Sequence, residues 1–136
     1  MREFGLAAAQ RLMAQGLASA ETRYARPICI AVVDDAGFPL GFLRQDGAPL
    51  RSIRISEGKA YSAARMGVTT LAFHQRLLRD QIDVGFFCDA RLTALAGGAP
   101  LKSAAGTLVG AVGISGLTSA EDQELADSLV VLLAQG

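Results

Sequence analysis

The segment Gly97-Gly98-Ala99-Pro100-Leu101, followed by Leu108-Val109-Gly110-Ala111-Val112-Gly113-Ile114-Ser115-Gly116, constrains the fold more than any other stretch of this chain. It reads as a glycine-punctuated β-hairpin. Pro100 starts one strand, Ala105-Gly106 turn the chain, and a β-branched run returns. Gly110, Gly113 and Gly116 leave positions without side chains, where another backbone or a ligand can come close. Ser115 is the polar group beside that bare surface, on the last turn before a helix. The pattern predicts a small-molecule cleft at the end of a sheet.

The remaining segments supply the other layers. Phe4, Ala8 and Leu12, with Leu6, Ala9, Met13 and Leu17 beside them, predict an amphipathic helix ending near Gly16. Pro27 then opens the apolar run Ile28-Cys29-Ile30-Ala31-Val32-Val33, which suits a central strand. Asp34-Asp35-Ala36-Gly37 turn it into a partner strand from Phe38 to Arg44. After a second turn at Asp46-Gly47-Ala48-Pro49, a helix with small residues at Ser56, Ala60, Ala63 and Ala64 runs to Gly67 and permits close packing. Thr69 or Thr70 caps the next helix, with Leu71, Phe73, Leu77 and Leu78 expected inward. Thr118-Ser119-Ala120-Glu121 reads as a capping box before a C-terminal helix carrying Leu125, Leu129, Leu132 and Leu133. The order predicts a single α+β domain over residues 1–136 with a meandering antiparallel sheet.

Charge narrows the function. Thirteen basic and thirteen acidic residues cancel, and no Lys/Arg run exists. Nucleic-acid binding, which needs a basic stripe, is not expected. No apolar stretch approaches the roughly 18 residues of a membrane span, and Met1 to Gly5 lack a secretory pattern, so a cytoplasmic location away from membranes is expected. Hydrophobic residues make up 51% of the chain. So much apolar material on a small domain points to burial between subunits, hence a homo-oligomer, a dimer or larger. Cys29 and Cys88 lie in apolar surroundings without a Cys-x-x-Cys spacing and read as buried thiols.

Few residues are candidates for chemistry. Only Lys59 and Lys102 occur against eleven arginines. Lys59, in the alanine-rich helix, reads either as a snorkelling or salt-bridged lysine, or as an anion-binding or Schiff-base lysine facing the cleft. Asp46 is either a turn former or an acid/base group in that cleft. His74, the sole histidine, shares a stripe with Leu71 and Leu78 and reads as a packed histidine or an axial haem ligand. Metal-site spacings, a Walker loop and a dinucleotide fingerprint are absent, and a serine triad is not supported.

Taken in order, these blocks resemble the haem-binding, GlcG-like family, which includes HbpS-like proteins and the C-terminal domains of PduO-type proteins. The residues that carry the likeness are Ala31-Val32-Val33-Asp34 with Gly37, Phe42, Arg44, Asp46-Gly47-Ala48, Ser56, Lys59-Ala60, Ala63-Ala64 and Thr69. It continues through Gly97 to Leu101, Val109 to Gly116, Asp122 and Ala126. The resemblance implies a profilin- or PAS-like sandwich with a five-stranded antiparallel sheet flanked by helices, assembling into oligomers. It also implies small-ligand binding, with haem or another tetrapyrrole as the candidate cofactor. The alternative is a cofactor-independent lyase or isomerase, or a binder, for a small carboxylate or carbonyl compound in a catabolic pathway. For that alternative Asp46 and Lys59 are the expected catalytic groups. Gly47, Thr69, Gly97, Gly98 and Ser115 are the expected ligand-binding positions.

Overall fold

The computed structural model describes residues 4–135. Helix α1 (Leu6–Ser19) continues through a π-helical turn (Ala20–Tyr24) toward strands β1 (Cys29–Asp34) and β2 (Pro39–Arg44). Helices α2 (Arg51–Met66) and α3 (Thr70–Asp80) follow, then a 3-10 turn (Val84–Phe87), β3 (Gly98–Lys102), β4 (Leu108–Ser115) and α4 (Ser119–Gln135). The two hairpins lie side by side through β1 and β4, giving the order β2-β1-β4-β3 with every pair antiparallel. The α+β class stands, but the sheet has four strands, not five. The stretch between α3 and β3 forms no strand. The 3-10 turn bends it, with Gln81 and Cys88 in left-handed conformations on either side.

One face of the sheet carries Ile30, Val32, Leu101, Val112 and Ile114, packed against Leu12 and Met13 of α1 and Leu125 and Leu129 of α4. These side chains are almost fully buried, and each contributes about 1.5–3 kcal/mol of hydrophobic stabilisation. Gly16 does not end α1. It sits where α1 presses on β1, since a Cβ there would lie 2.6 Å from Ile30 Cδ1. Packing outweighs the helix-stopping tendency of glycine, and the helix runs on to Ser19.

The opposite face is built from small residues. The cross-strand partners Gly98, Gly113, Ala31 and Phe42 form one row across β3, β4, β1 and β2. Helix α2 is seated in this row by its backbone. A Cβ on Gly113 would fall 2.1 Å from the Ser56 carbonyl oxygen, and one on Gly98 would fall 2.4 Å from that of Lys59. The bare hairpin surface therefore receives another backbone at these two positions. Phe42 closes the row on β2, so α2 packs mainly on β4, β1 and β3.

Helix α3 buries only half of the stripe expected from the sequence. Phe73 and Leu77 are buried, but Leu71 and Leu78 are 39% and 66% exposed. Thr69 caps the helix by accepting a hydrogen bond from the Ala72 N–H, which makes Thr70, Phe73 and Leu77 the inward stripe. Cys29 is buried as expected, whereas Cys88 is exposed because it follows the 3-10 turn with φ 56°. The capping box at α4 forms in both directions: Glu121 N–H donates to Thr118 Oγ1, and Thr118 N–H donates to Glu121 Oε1. Among the described residues no helix is long and apolar enough to cross a membrane.

Candidate functional site

Lys59, Gly97 and Gly98 come together under the sheet, at a junction sealed from solvent. The Lys59 ammonium donates to Asp122 Oδ2 at 2.9 Å and to the Ile114 carbonyl at 2.8 Å, and both charged side chains are under 5% exposed. Burial pulls Lys59 below the ordinary lysine pKa, against the pull of the Asp122 charge. Burial likewise pushes Asp122 up, with Lys59 opposing it. Asp122 Oδ1 accepts from the Leu117 N–H, so one carboxylate ties α4 to both α2 and the end of β4.

The glycines are read by side chains of α3 and α4. Gly97 N–H donates to Gln123 Oε1 at 2.7 Å, Gln123 Nε2 donates to the Gly98 carbonyl, and Gly98 N–H donates to Thr70 Oγ1 at 2.9 Å. Gly97 has φ +131°, and a Cβ on it would meet the Lys59 ammonium and the Ile114 carbonyl. The Ser115 hydroxyl bonds that of Ser52 on α2, also out of solvent. These contacts occupy the polar atoms a ligand would need, and among the described residues no buried side-chain polar atom lacks a partner. Gln123 carries no sequence signal, and Thr70 and Asp122 stand out only as a possible cap and as part of the family likeness, since the partners that complete the junction lie 25 to 63 residues away.

The other expected site residues make none of the hydrogen bonds of this junction. Asp46 is exposed on the turn after β2 and borders an open depression with Arg26, Arg44 and Glu21. Gly47 follows with φ +86° against Pro27. Thr69 is the α3 cap. His74 is exposed and borders a groove of about 590 Å³ walled by Leu77, Leu78, Ile82, Val84 and Phe86.

A second space of about 590 Å³ opens where α2 leaves β2 uncovered. Val33 and Phe42 line its sheet side, Arg54, Glu57 and Tyr61 line its helix side, and Arg91 also borders it. Tyr61 is buried and donates its hydroxyl to Asp89 Oδ2 at 2.6 Å, which raises the phenol pKa and lowers that of the carboxyl. The Arg91 guanidinium lies over the Tyr61 ring at 4.0 Å. Nothing in the sequence singles out Arg54 or Arg91 as neighbours of this space. Among the described residues no cluster of His, Cys, Asp and Glu could hold a bare metal ion.

Solved structures share this fold. Klebsiella pneumoniae protein ORFY is 30% identical, with a TM-score of 0.85 over 96% of this chain and 90% of that one. A crystal structure of HbpS is 29% identical, with a TM-score of 0.86 over the same shares. The PduOC:heme complex is 20% identical, with a TM-score of 0.78 over 90% of this chain and 89% of that one, and shares the fold. No curated protein matches the sequence. The model of the family described as "Haem degrading protein HbpS-like" matches residues 4–130, nearly the whole domain. This chain belongs to the HbpS-like family.

Proposed function

We propose that this protein binds haem or a related tetrapyrrole, with His74 as the axial ligand. The observation that carries the reading is the placement of the one imidazole of the chain at a groove walled by Leu77, Leu78, Ile82, Val84 and Phe86. A flat apolar macrocycle suits such walls, and a histidine nitrogen is a common axial donor to haem iron. The family description and the haem-bound structure that shares the fold support the same ligand. Haem bound here would supply an iron centre whose redox chemistry is set by its axial ligand and surroundings. The contribution of the chain is to hold and shield the macrocycle. Leu78 and Phe86 are 66% and 69% exposed, and covering each is worth up to about 1.5–3 kcal/mol.

An open groove covers one side of a flat ligand, which fits assembly of the protein as a homo-oligomer. Leu50, Phe38 and Val131 add further exposed apolar surface that a second copy would bury. Light scattering is expected to show a dimer or larger species, and a 14.2 kDa particle alone at micromolar concentration would remove this part of the reading.

Haemin titration followed by Soret absorbance tests the ligand. Wild type is expected to give a saturable band shift, and His74→Ala to lose the shift or bind at least about tenfold more weakly. Equal binding by the variant would remove His74 as the ligand, and absence of a saturable shift in wild type would remove haem.

A further inference from the structure

The cavity beside Phe42 carries chemistry that haem binding at His74 does not use. Arg54, Glu57 and Tyr61 project from one face of α2, at spacings of three and four residues. Val33, Phe42 and Ala31 give the opposite side an apolar surface. Two guanidinium groups and one carboxylate leave the lining with one net positive charge (two minus one). Among the described residues neither Arg54 nor Arg91 forms an ion pair. Arg91 is held in place by stacking on Tyr61, which is anchored in turn by Asp89, so less of its side-chain freedom is lost on engaging an anion.

We infer that this cavity binds a small monocarboxylic acid with an apolar or aromatic body. The carboxylate is taken by Arg54 and Arg91, whose planar donors match its two oxygens. The body lies against Phe42, Val33 and Ala31. Glu57 offsets one of the two positive charges, which favours a monoanion over a dianion and offers an acceptor to a hydroxyl on the ligand. The volume of about 590 Å³ falls within the range of roughly 300–1,000 Å³ usual for small-molecule sites. The site is separate from the groove at His74 and does not depend on haem binding.

Amide chemical-shift titration of the isotopically labelled protein with benzoate is the test, with neutral benzamide as the matched probe. Benzoate is expected to move the signals of Val33, Phe42 and Gly58, with a Kd in the millimolar range or tighter. Arg54→Gln and Arg91→Gln, both at exposed positions, are each expected to weaken benzoate about tenfold or more while leaving the spectrum dispersed. Benzamide is expected to bind at least about tenfold more weakly than benzoate. His74→Ala is expected to bind benzoate like wild type, so failure of the haem reading and failure of this one are distinguishable. The inference is overturned by no shifts at about 10 mM benzoate. Equal binding of benzamide, unchanged affinity in both arginine variants, or loss of benzoate binding in His74→Ala would also overturn it.

Discussion

Replacing Lys59 by methionine probes the junction that locks α2 and α4 to the sheet. The chain would keep the length of the side chain but lose its charge, leaving the Asp122 carboxylate, 4% exposed, with only the Leu117 N–H of its two described donors. The Ile114 carbonyl would lose a donor as well. Breaking a buried pair from one side costs about 3–5 kcal/mol, a large share of the roughly 5–15 kcal/mol that holds a domain together. Removing both groups, as in Lys59→Met with Asp122→Leu, leaves no buried charge and is expected to cost at least about 2 kcal/mol less than the sum of the single changes. Urea unfolding followed by circular dichroism, with the m-value checked for constancy, measures all three variants. In Lys59→Met, Asp122 loses the cation that opposes its desolvation, so its folded pKa rises further above the unfolded value. Its contribution is therefore most favourable below about pH 3.9 and is lost as pH climbs through the folded pKa. The deficit of the variant is expected to shrink in acid. A loss below about 1 kcal/mol at neutral pH, with additive single changes, would refute the reasoning.

Three other outcomes follow from features already described. Gly113→Ala drives a Cβ into the backbone of Ser56 and Ala60, which cannot rotate away, and is expected to cost at least about 3 kcal/mol by thermal unfolding; near-wild-type stability would mean that α2 is not seated there. Burial, together with the hydrogen bond its hydroxyl donates to Glu124, pushes the Tyr24 pKa up to about 12, so its contribution to stability is full below about pH 10 and is lost as pH rises through the folded value. Ultraviolet phenol titration is expected to show this ionisation shifted downward in Glu124→Gln, and an unchanged curve would count against the bond. A thiol reagent is expected to modify Cys88 at once and Cys29 only on unfolding, since burial both hides Cys29 and raises its pKa; mass spectrometry of the labelled protein checks the order.

The parts of the fold that were legible are those whose causes are local. The Thr118 to Glu121 cap, the two hairpins and the small-residue face of α2 follow from neighbours in sequence. On α3 the apolar residues span more of the helix than the core covers, so Phe73 and Leu77 are buried as expected while Leu71 and Leu78 remain exposed. Lys59 stood out by its rarity, but Asp122, its partner, lies 63 residues away and only the assembled sheet brings them together. The Arg54 cavity was hidden for a related reason. It exists because Phe42 ends a row whose other members, Gly98, Gly113 and Ala31, become neighbours only once the strands are in register.

The seating of α2 also decides which wall of that cavity can respond to an occupant. The helix touches β3 and β4 through main-chain atoms, which have no rotamers to change, so a ligand cannot displace it by repacking side chains. The facing segment is tied to α2 differently, by the Tyr61 hydroxyl on Asp89 and by the Thr93 N–H on the Ser62 hydroxyl. Those two bonds are replaceable by a competing group or by water. Occupancy at Arg54 and Arg91 would therefore be transmitted outward through residues 89–93, away from a stationary helix.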